Sequence, residues 1–480
     1  MFSVRRRGVA RLAAATVVSG LVAAGAIAVA GPATADDGST NGGGVAATLG
    51  PLAESGDIAI TVKNSKGEEE THTYKGGLFS LEVNGGGSLK AYCIDLFTPT
   101  EPGVKYKEVG WDESTLHNNA DAGKIRWILQ NSYPQVDDLT ALATKADVKG
   151  GLTKEEAATA TQAAIWHFSD KITAVPADAE AKQLAAFLVE KAKKAEDLAE
   201  PPATLGVSKG SLAGKAGTRI GPTKVSTNAS TATISLAADA PAGVKVVDKD
   251  GKAVTSAKDG DELYLDVPAG TPDGSTKVSL QANTKVNVGR AFASTTQKRK
   301  QTLILAGSSE TTSKAEFQAT WAKQGPVPAV DFKENCAEGG VDVTVSNKGD
   351  EDWVFELGGV KRTIGAGKSE TVTVPVAEDA AYKYTITGPN GFEKVIEGVL
   401  DCKTATPGPK PSETPAPSET PATTTGGTAG GSTGSTTGGG DLAETGSSNA
   451  TPMIAGIAVA LVAIGGGAMF FLRKKKAAGQ

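Results

Sequence analysis

The chain sorts its apolar residues into three kinds of pattern. At the start, Arg5, Arg6, Arg7 and Arg11 lead into an apolar run that closes at Ala33-Thr34-Ala35. A basic head, an apolar stretch and a small-residue cleavage site predict a secretory signal. The adjacent arginines raise a twin-arginine route, but their flanks favour general secretion. Near the other end, Met453 to Leu472 carries no charge, and Arg473, Lys474, Lys475 and Lys476 follow directly. That span is long enough to cross a hydrocarbon core of roughly 30 Å. The basic tail then stays on the cytoplasmic side.

Between these ends the pattern is mostly that of strands. In Leu89 to Phe97, residues Leu89, Ala91, Cys93 and Phe97 share one face with Asp95, while Lys90, Tyr92, Ile94 and Leu96 share the other. Both faces are mostly apolar, which predicts a buried strand. Alternation returns at Ala232–Leu236, Glu262–Val267, Lys277–Leu280 and Gln301–Leu305, and again at Val341–Val345, Glu370–Val374 and Tyr382–Ile386. Turn residues at Asn347-Lys348-Gly349 and Gly388-Pro389-Asn390-Gly391 separate the later ones. One segment reads as a helix. Thr153-Lys154-Glu155-Glu156 is a capping box followed by alanines, and Ala158, Gln162, Ile165 and Trp166 fall on one stripe.

Composition sets the boundaries. From Thr404 to Asp441 the chain is Pro, Thr, Ser, Glu, Gly and Ala apart from Lys410 and Asp441, with no aromatic residue. Its proline-rich half should extend on the order of 50 Å, and its Gly/Ser/Thr half, Ala422 to Gly440, should be a flexible coil. Pro201-Pro202 and Gln324-Gly325-Pro326-Val327-Pro328 punctuate the rest. The expectation is therefore a signal segment 1–35, folded units 36–202, 203–323 and 324–403, a stalk 404–441 and a terminal segment 442–480 with its membrane helix at 453–472. The second and third units read as all-β Ig-like sandwiches.

Charge narrows the partners. The full chain has 49 basic and 54 acidic residues, a net of −5. The signal and the tail together hold eight basic and no acidic residues, so 36–445 has 41 basic against 54 acidic, a net of −13. That balance argues against nucleic acid and anionic membranes as partners. Three histidines and three cysteines leave little for a metal site, and no cofactor is expected.

The cysteines point to chemistry. Cys336 precedes the first strand of the third unit and Cys402 ends the last, so in an oxidising compartment they should pair. Closing that long loop is worth roughly 4 kcal/mol in the chain-entropy model. Cys93 is left over, and an unpaired cysteine in a secreted chain suggests special reactivity or an intermolecular bond. Gln162 is the polar exception on an apolar stripe, and a buried amide without partners costs about 1–3 kcal/mol. A thiol and a carboxamide held together away from water can condense, lose ammonia and leave a thioester, an acyl group that an amine can capture. Trp166 and Tyr92 are candidate shields, His167 a candidate proton carrier, and Asp95 a residue to orient the Cys93 loop. Two other readings stand beside this one. In the first, Cys93 is inert and the chain is a non-covalent adhesin or spacer. In the second, Cys93 is the nucleophile of a hydrolase with His117 or His167 as base. The lysines and asparagines of the second unit are compatible with an internal isopeptide crosslink, but no pair is singled out.

Two resemblances add to this. Leu442-Ala443-Glu444-Thr445-Gly446 precedes the apolar span and basic tail, an order that resembles a Gram-positive sortase sorting signal. Alanine in the second place is similar to the variant used by actinobacterial class E sortases. The resemblance implies cleavage between Thr445 and Gly446 and transfer of Thr445 to cell-wall peptidoglycan. The Tyr92-Cys93-Ile94-Asp95 strand, the Thr161-Gln162-Ala163-Ala164-Ile165-Trp166 helix and the segment Ile125 to Pro134 resemble the Cys-Gln thioester (TQXA) domain of Gram-positive surface adhesins. This resemblance covers residues 36–202. It implies an α+β fold in which a helical insertion on a β-sheet scaffold carries the glutamine. It also implies a Cys93–Gln162 thioester, and a single-turnover binder of surface amines, protein lysines in the family's usage, rather than an enzyme.

Overall fold

The computed structural model describes residues 43–63, 66–296 and 298–405. The expected signal segment, all of the stalk beyond Ala405, the sorting pentapeptide and the membrane helix lie outside these residues. Among the described residues, no helix is long and apolar enough to cross a membrane.

A seven-stranded antiparallel sheet carries the first unit. Its strands are β1 (Ala46–Lys63), β2 (Glu69–Val83), β3 (Ser88–Cys93), β4 (Lys105–Val109), β5 (Ala174–Pro176), β6 (Ala291–Ser294) and β7 (Leu303–Ser308). Their order is β2-β3-β7-β6-β4-β1-β5, and β1 also pairs with β2. The sheet therefore closes on itself, which removes its open edges. Four helices complete this unit among the described residues: α1 (Ala122–Asn131), α2 (Leu139–Lys145), α3 (Lys154–Ser169) and α4 (Ala179–Ala192).

α3 forms where the capping box placed it. Thr153 Oγ1 accepts from the Glu156 N–H at 3.2 Å, and Glu156 Oε2 accepts from the Thr153 N–H at 2.7 Å. Every residue from Ala157 to Trp166 is buried. The helix is wrapped on all sides, so its alanines serve close packing rather than one apolar stripe. Glycines in the β1–β2 hairpin let it come near. Gly56 and Gly76 face one another in the register. A Cβ on Gly76 would fall 2.4 Å from Ile58 Cδ1 and 3.0 Å from the Trp166 ring. Gly76 thus reserves the space in which Trp166 sits.

The chain does not divide into consecutive units as expected. The strand anticipated at Gln301–Leu305 in the second unit belongs to the first sheet, where β7 pairs with β3 and Leu303 lies opposite Cys93. The reason is visible in burial. Leu303, Ile304, Leu305 and Ala306 are all fully buried, so this segment fits an interior strand covered on both faces. The expected boundary between 36–202 and 203–323 is corrected accordingly. The first unit takes a second stretch, about Lys285 to Glu310, from within the second.

The second unit keeps a four-stranded and a five-stranded sheet around a core that includes Val225, Leu263, Leu265, Val278, Phe317 and Trp321. The third has a three-stranded sheet, Pro328–Asn335, Gly340–Asn347 and Ser369–Pro375, and two hairpins packed on Val341, Val343, Trp353, Ile386 and Ile396. Cys336 and Cys402 are bonded, 66 residues apart. Peptide mapping without reductant should recover that pair. Cys336→Ala should lower the stability of the third unit by roughly 2–5 kcal/mol, read from hydrogen exchange of the Val341–Val345 strand in increasing urea.

Candidate functional site

Cys93 is the last residue of β3, and backbone pairing on its two sides stops at different points. On one side the residue before β7 prolongs it, and the Ile94 N–H donates to the Thr302 carbonyl at 3.0 Å. On the other side β2 stops pairing at Phe79 opposite Ala91. The N–H and C=O of Cys93 point to this second side, because successive residues of an antiparallel strand alternate their partners. A buried backbone pair without a partner is costly. Gln162 supplies it. The Cys93 N–H donates to Gln162 Oε1 at 3.0 Å, and Gln162 Nε2 donates to the Cys93 carbonyl at 2.8 Å. The carboxamide stands in for the strand partner that β2, which goes on paired with β1 alone, no longer supplies. The misfit foreseen for a buried glutamine is thus answered by the backbone of the cysteine itself.

Both residues are 1 % exposed. Burial pushes the Cys93 thiol well above its ordinary range, and the negative charge of Asp170 adds to this. The main-chain N–H of Asp95 and the indole N–H of Trp166 act the other way by facing the sulfur. That indole N–H is buried without a hydrogen-bond partner. Trp166 thus closes the site and keeps its N–H free on the side of the sulfur. Tyr92 occupies the opposite face of β3, and its hydroxyl donates to the Tyr133 carbonyl at 2.8 Å.

The other expected residues fall in different places. Asp95 is fully buried, but its carboxylate turns away from the thiol toward Arg299 and the Ala405 N–H. His167 is half-buried on the α4 side of α3, beside Ala163, Ala164, Ala185 and Val189, and burial lowers its pKa. His117 Nδ1 sits 3.2 Å from the Ser114 carbonyl. Among the described residues no histidine is hydrogen-bonded to Cys93 or Gln162, so neither the proton carrier nor the hydrolase base has the geometry expected of it. Of the acidic clusters, Glu378, Asp379 and Asp401 come close enough to share a cation, but Arg299 already pairs with the last two.

The sequence reading missed Asp170. It caps the C-terminus of α3, eight residues past Gln162 and so two turns along the same side. Its Oδ1 accepts from the Leu96 N–H at 2.9 Å and its Oδ2 from the Ser169 hydroxyl at 2.7 Å. The residue is part-buried, but its carboxyl end is enclosed, and that burial pushes it up to about 7. Its position relative to Gln162 was the available signal. Arg299 was also missed, and no local signal marks it, since it lies 204 residues from its partner Asp95.

Residues 90–194 match the thioester domain family. That stretch runs from β3 through α4 and contains both Cys93 and Gln162. Among solved structures, the chain is similar to the Bacillus anthracis TIE protein, at 16 % identity with a TM-score of 0.25, covering 75 % of this chain and 81 % of that one. It is also similar to the thioester domain of the Enterococcus faecium TIE86 protein, at 20 % identity and a TM-score of 0.25, covering 58 % of this chain and 97 % of that one. A third is the thioester domain of the Staphylococcus aureus TIE protein, at 16 % identity and a TM-score of 0.22, covering 58 % and 100 % respectively. No curated protein matches the chain.

The titration of Asp170 gives a pH signature. Its folded pKa of about 7 lies above the unfolded value of about 4. The native state therefore holds a proton that the unfolded chain has lost. The stability so gained is complete below about pH 4 and is lost as pH rises through about 7. Relative to wild type, Asp170→Asn should gain in urea midpoint between about pH 4 and about pH 8. A wild-type-to-variant difference that stays constant with pH would count against this placement of the proton.

Proposed function

We propose that Cys93 and Gln162 form an internal thioester, and that the chain is a cell-wall-anchored surface protein that uses it to bond covalently to amine groups on a target. The observation that carries this reading is the two-point pairing of the Gln162 carboxamide with the Cys93 backbone in a site closed to water. It holds the carboxamide carbon beside the only free cysteine among the described residues.

The steps follow from the groups present. The Cys93 sulfur attacks Gln162 Cδ. Negative charge develops on Oε1, which already accepts the Cys93 N–H, so that N–H serves as an oxyanion donor. The C–N bond breaks and the thiol proton leaves with the nitrogen as ammonia. Asp170, with a carboxyl near neutrality, is suited to take that proton from sulfur and pass it on. A target amine then attacks the same carbon, the C–S bond breaks, a proton returns to sulfur and an amide remains on residue 162. Each molecule reacts once, without metal or cofactor, and is not an enzyme in the ordinary sense. The export segment at 1–35, the Leu442–Gly446 pentapeptide and the span that follows support a location on the wall, with a class E-like sortase and peptidoglycan as partners. A second reading keeps Cys93 inert and the chain a non-covalent adhesin. The same pairing supports it, because it also satisfies an unreacted glutamine.

Intact mass separates the two. The wild-type protein should be lighter than its encoded mass by one ammonia, and Cys93→Ala should show full mass apart from the substitution. Methylamine should add to residue 162 and release a titratable thiol. A wild-type protein that shows that thiol when folded and untreated would rule the thioester out. On cells, Thr445→Ala should leave the head reactive while reducing the wall-bound fraction, measured in digested walls.

A further inference from the structure

The matched thioester domain ends at residue 194, but the Cys93 loop is held by residues beyond it. Arg299 is 12 % exposed at its side chain and pairs with three carboxylates: Asp95 Oδ2 at 2.9 Å, Asp379 Oδ1 at 2.8 Å and Asp401 Oδ1 at 3.1 Å. It also donates to the Lys403 carbonyl. The Ala405 N–H donates to the other oxygen of Asp95 at 2.9 Å. Gln301 Nε2 donates to the Asp95 carbonyl at 3.0 Å, and the Thr302 hydroxyl to Asp401 Oδ2 at 3.0 Å. Asp95 is thus fixed at both carboxylate oxygens and at its carbonyl, and its own N–H faces the Cys93 sulfur.

We propose that Arg299 and the segment Asp401–Ala405 are positioning elements for the Cys93 nucleophile, contributed by the return stretch of the second unit and by the tail of the third. The inference rests on the thioester reading above. Burying several carboxylates around one guanidinium is a poor route to stability, since desolvation offsets most of the attraction. Beside a reacting sulfur the same arrangement has a use. It fixes the peptide plane whose N–H sets the direction of the sulfur. A displacement of about 1 Å at a reacting group can lower a rate about a hundredfold. The disulfide from Cys402 to Cys336 holds the tail to the body of the third unit, so the brace has a rigid base.

The test uses the full chain recovered unfolded in urea with its Gln162 amide intact, then refolded, with ammonia loss followed by intact mass against time. Arg299→Gln should slow thioester formation by about tenfold or more, and Arg299→Lys should recover part of the rate. In an Asp95→Asn background, Arg299→Gln should add little, because both changes break one link. If Arg299→Gln fails to fold, Ala405→Pro decides. It removes the N–H donated to Asp95 without touching the Arg299 cluster, its ring also fixing φ at 405 and restricting Thr404, and should slow formation several-fold. Formation at the wild-type rate in a folded Arg299→Gln or Ala405→Pro protein would overturn the proposal, as would fully multiplicative effects of Asp95→Asn and Arg299→Gln. A wild type that never loses ammonia would instead defeat the thioester reading itself.

Discussion

Everything around the site depends on an unfinished edge. β2 leaves β3 after Phe79 and goes on paired with β1 alone, so at Cys93 the backbone of β3 faces a position with no strand partner. An N–H and a C=O in a dry interior need partners, and only a side chain with one donor and one acceptor at the right spacing can serve both. Glutamine is such a side chain. Satisfying the backbone therefore delivers a carboxamide to the neighbourhood of a thiol, and the attachment that makes the fold tolerable is also the one that aligns the reactants.

That arrangement sets demands on α3. A helix that places Gln162 against the end of β3 has to run deep into the closed sheet, with no face left for solvent. Small side chains at Ala157, Ala158, Ala160, Ala163 and Ala164 let it fit, and Gly56 and Gly76 make room on the strand side. The one bulky residue along this stretch, Trp166, fills the gap reserved by Gly76 and turns its N–H toward the sulfur. Packing and chemistry are met by the same few choices.

Part of this was legible in the linear chain and part was not. The apolar character of both faces around Cys93 marked an interior strand, and the Thr153–Glu156 cap fixed where α3 begins. Placing Cys336 and Cys402 at the two ends of one unit was enough to foresee their bond. These are local or end-to-end features. The pairing of Leu303 with Cys93 is neither, because nothing near either residue encodes a register across so long a stretch, and the run at Leu303–Ala306 looks alike in any interior strand. Arg299 was hidden for the same reason. His167 was expected as a candidate proton carrier only, its helical position already weighing against it. It lies five residues past Gln162 and faces α4, whereas Asp170 lies eight past it and takes the Leu96 N–H.

The described chain ends at Ala405, and the last backbone N–H in it that is hydrogen-bonded belongs to that residue and ends on Asp95. The Ala405–Asp95 contact and the Arg299 cluster thus join the end of the third unit to the segment that carries the thiol, and the Cys402 disulfide fixes the same end to the body of that unit. A few atoms therefore connect the far end of the folded chain to the residue on which the proposed chemistry would fall, so a displacement at one end is felt at the other.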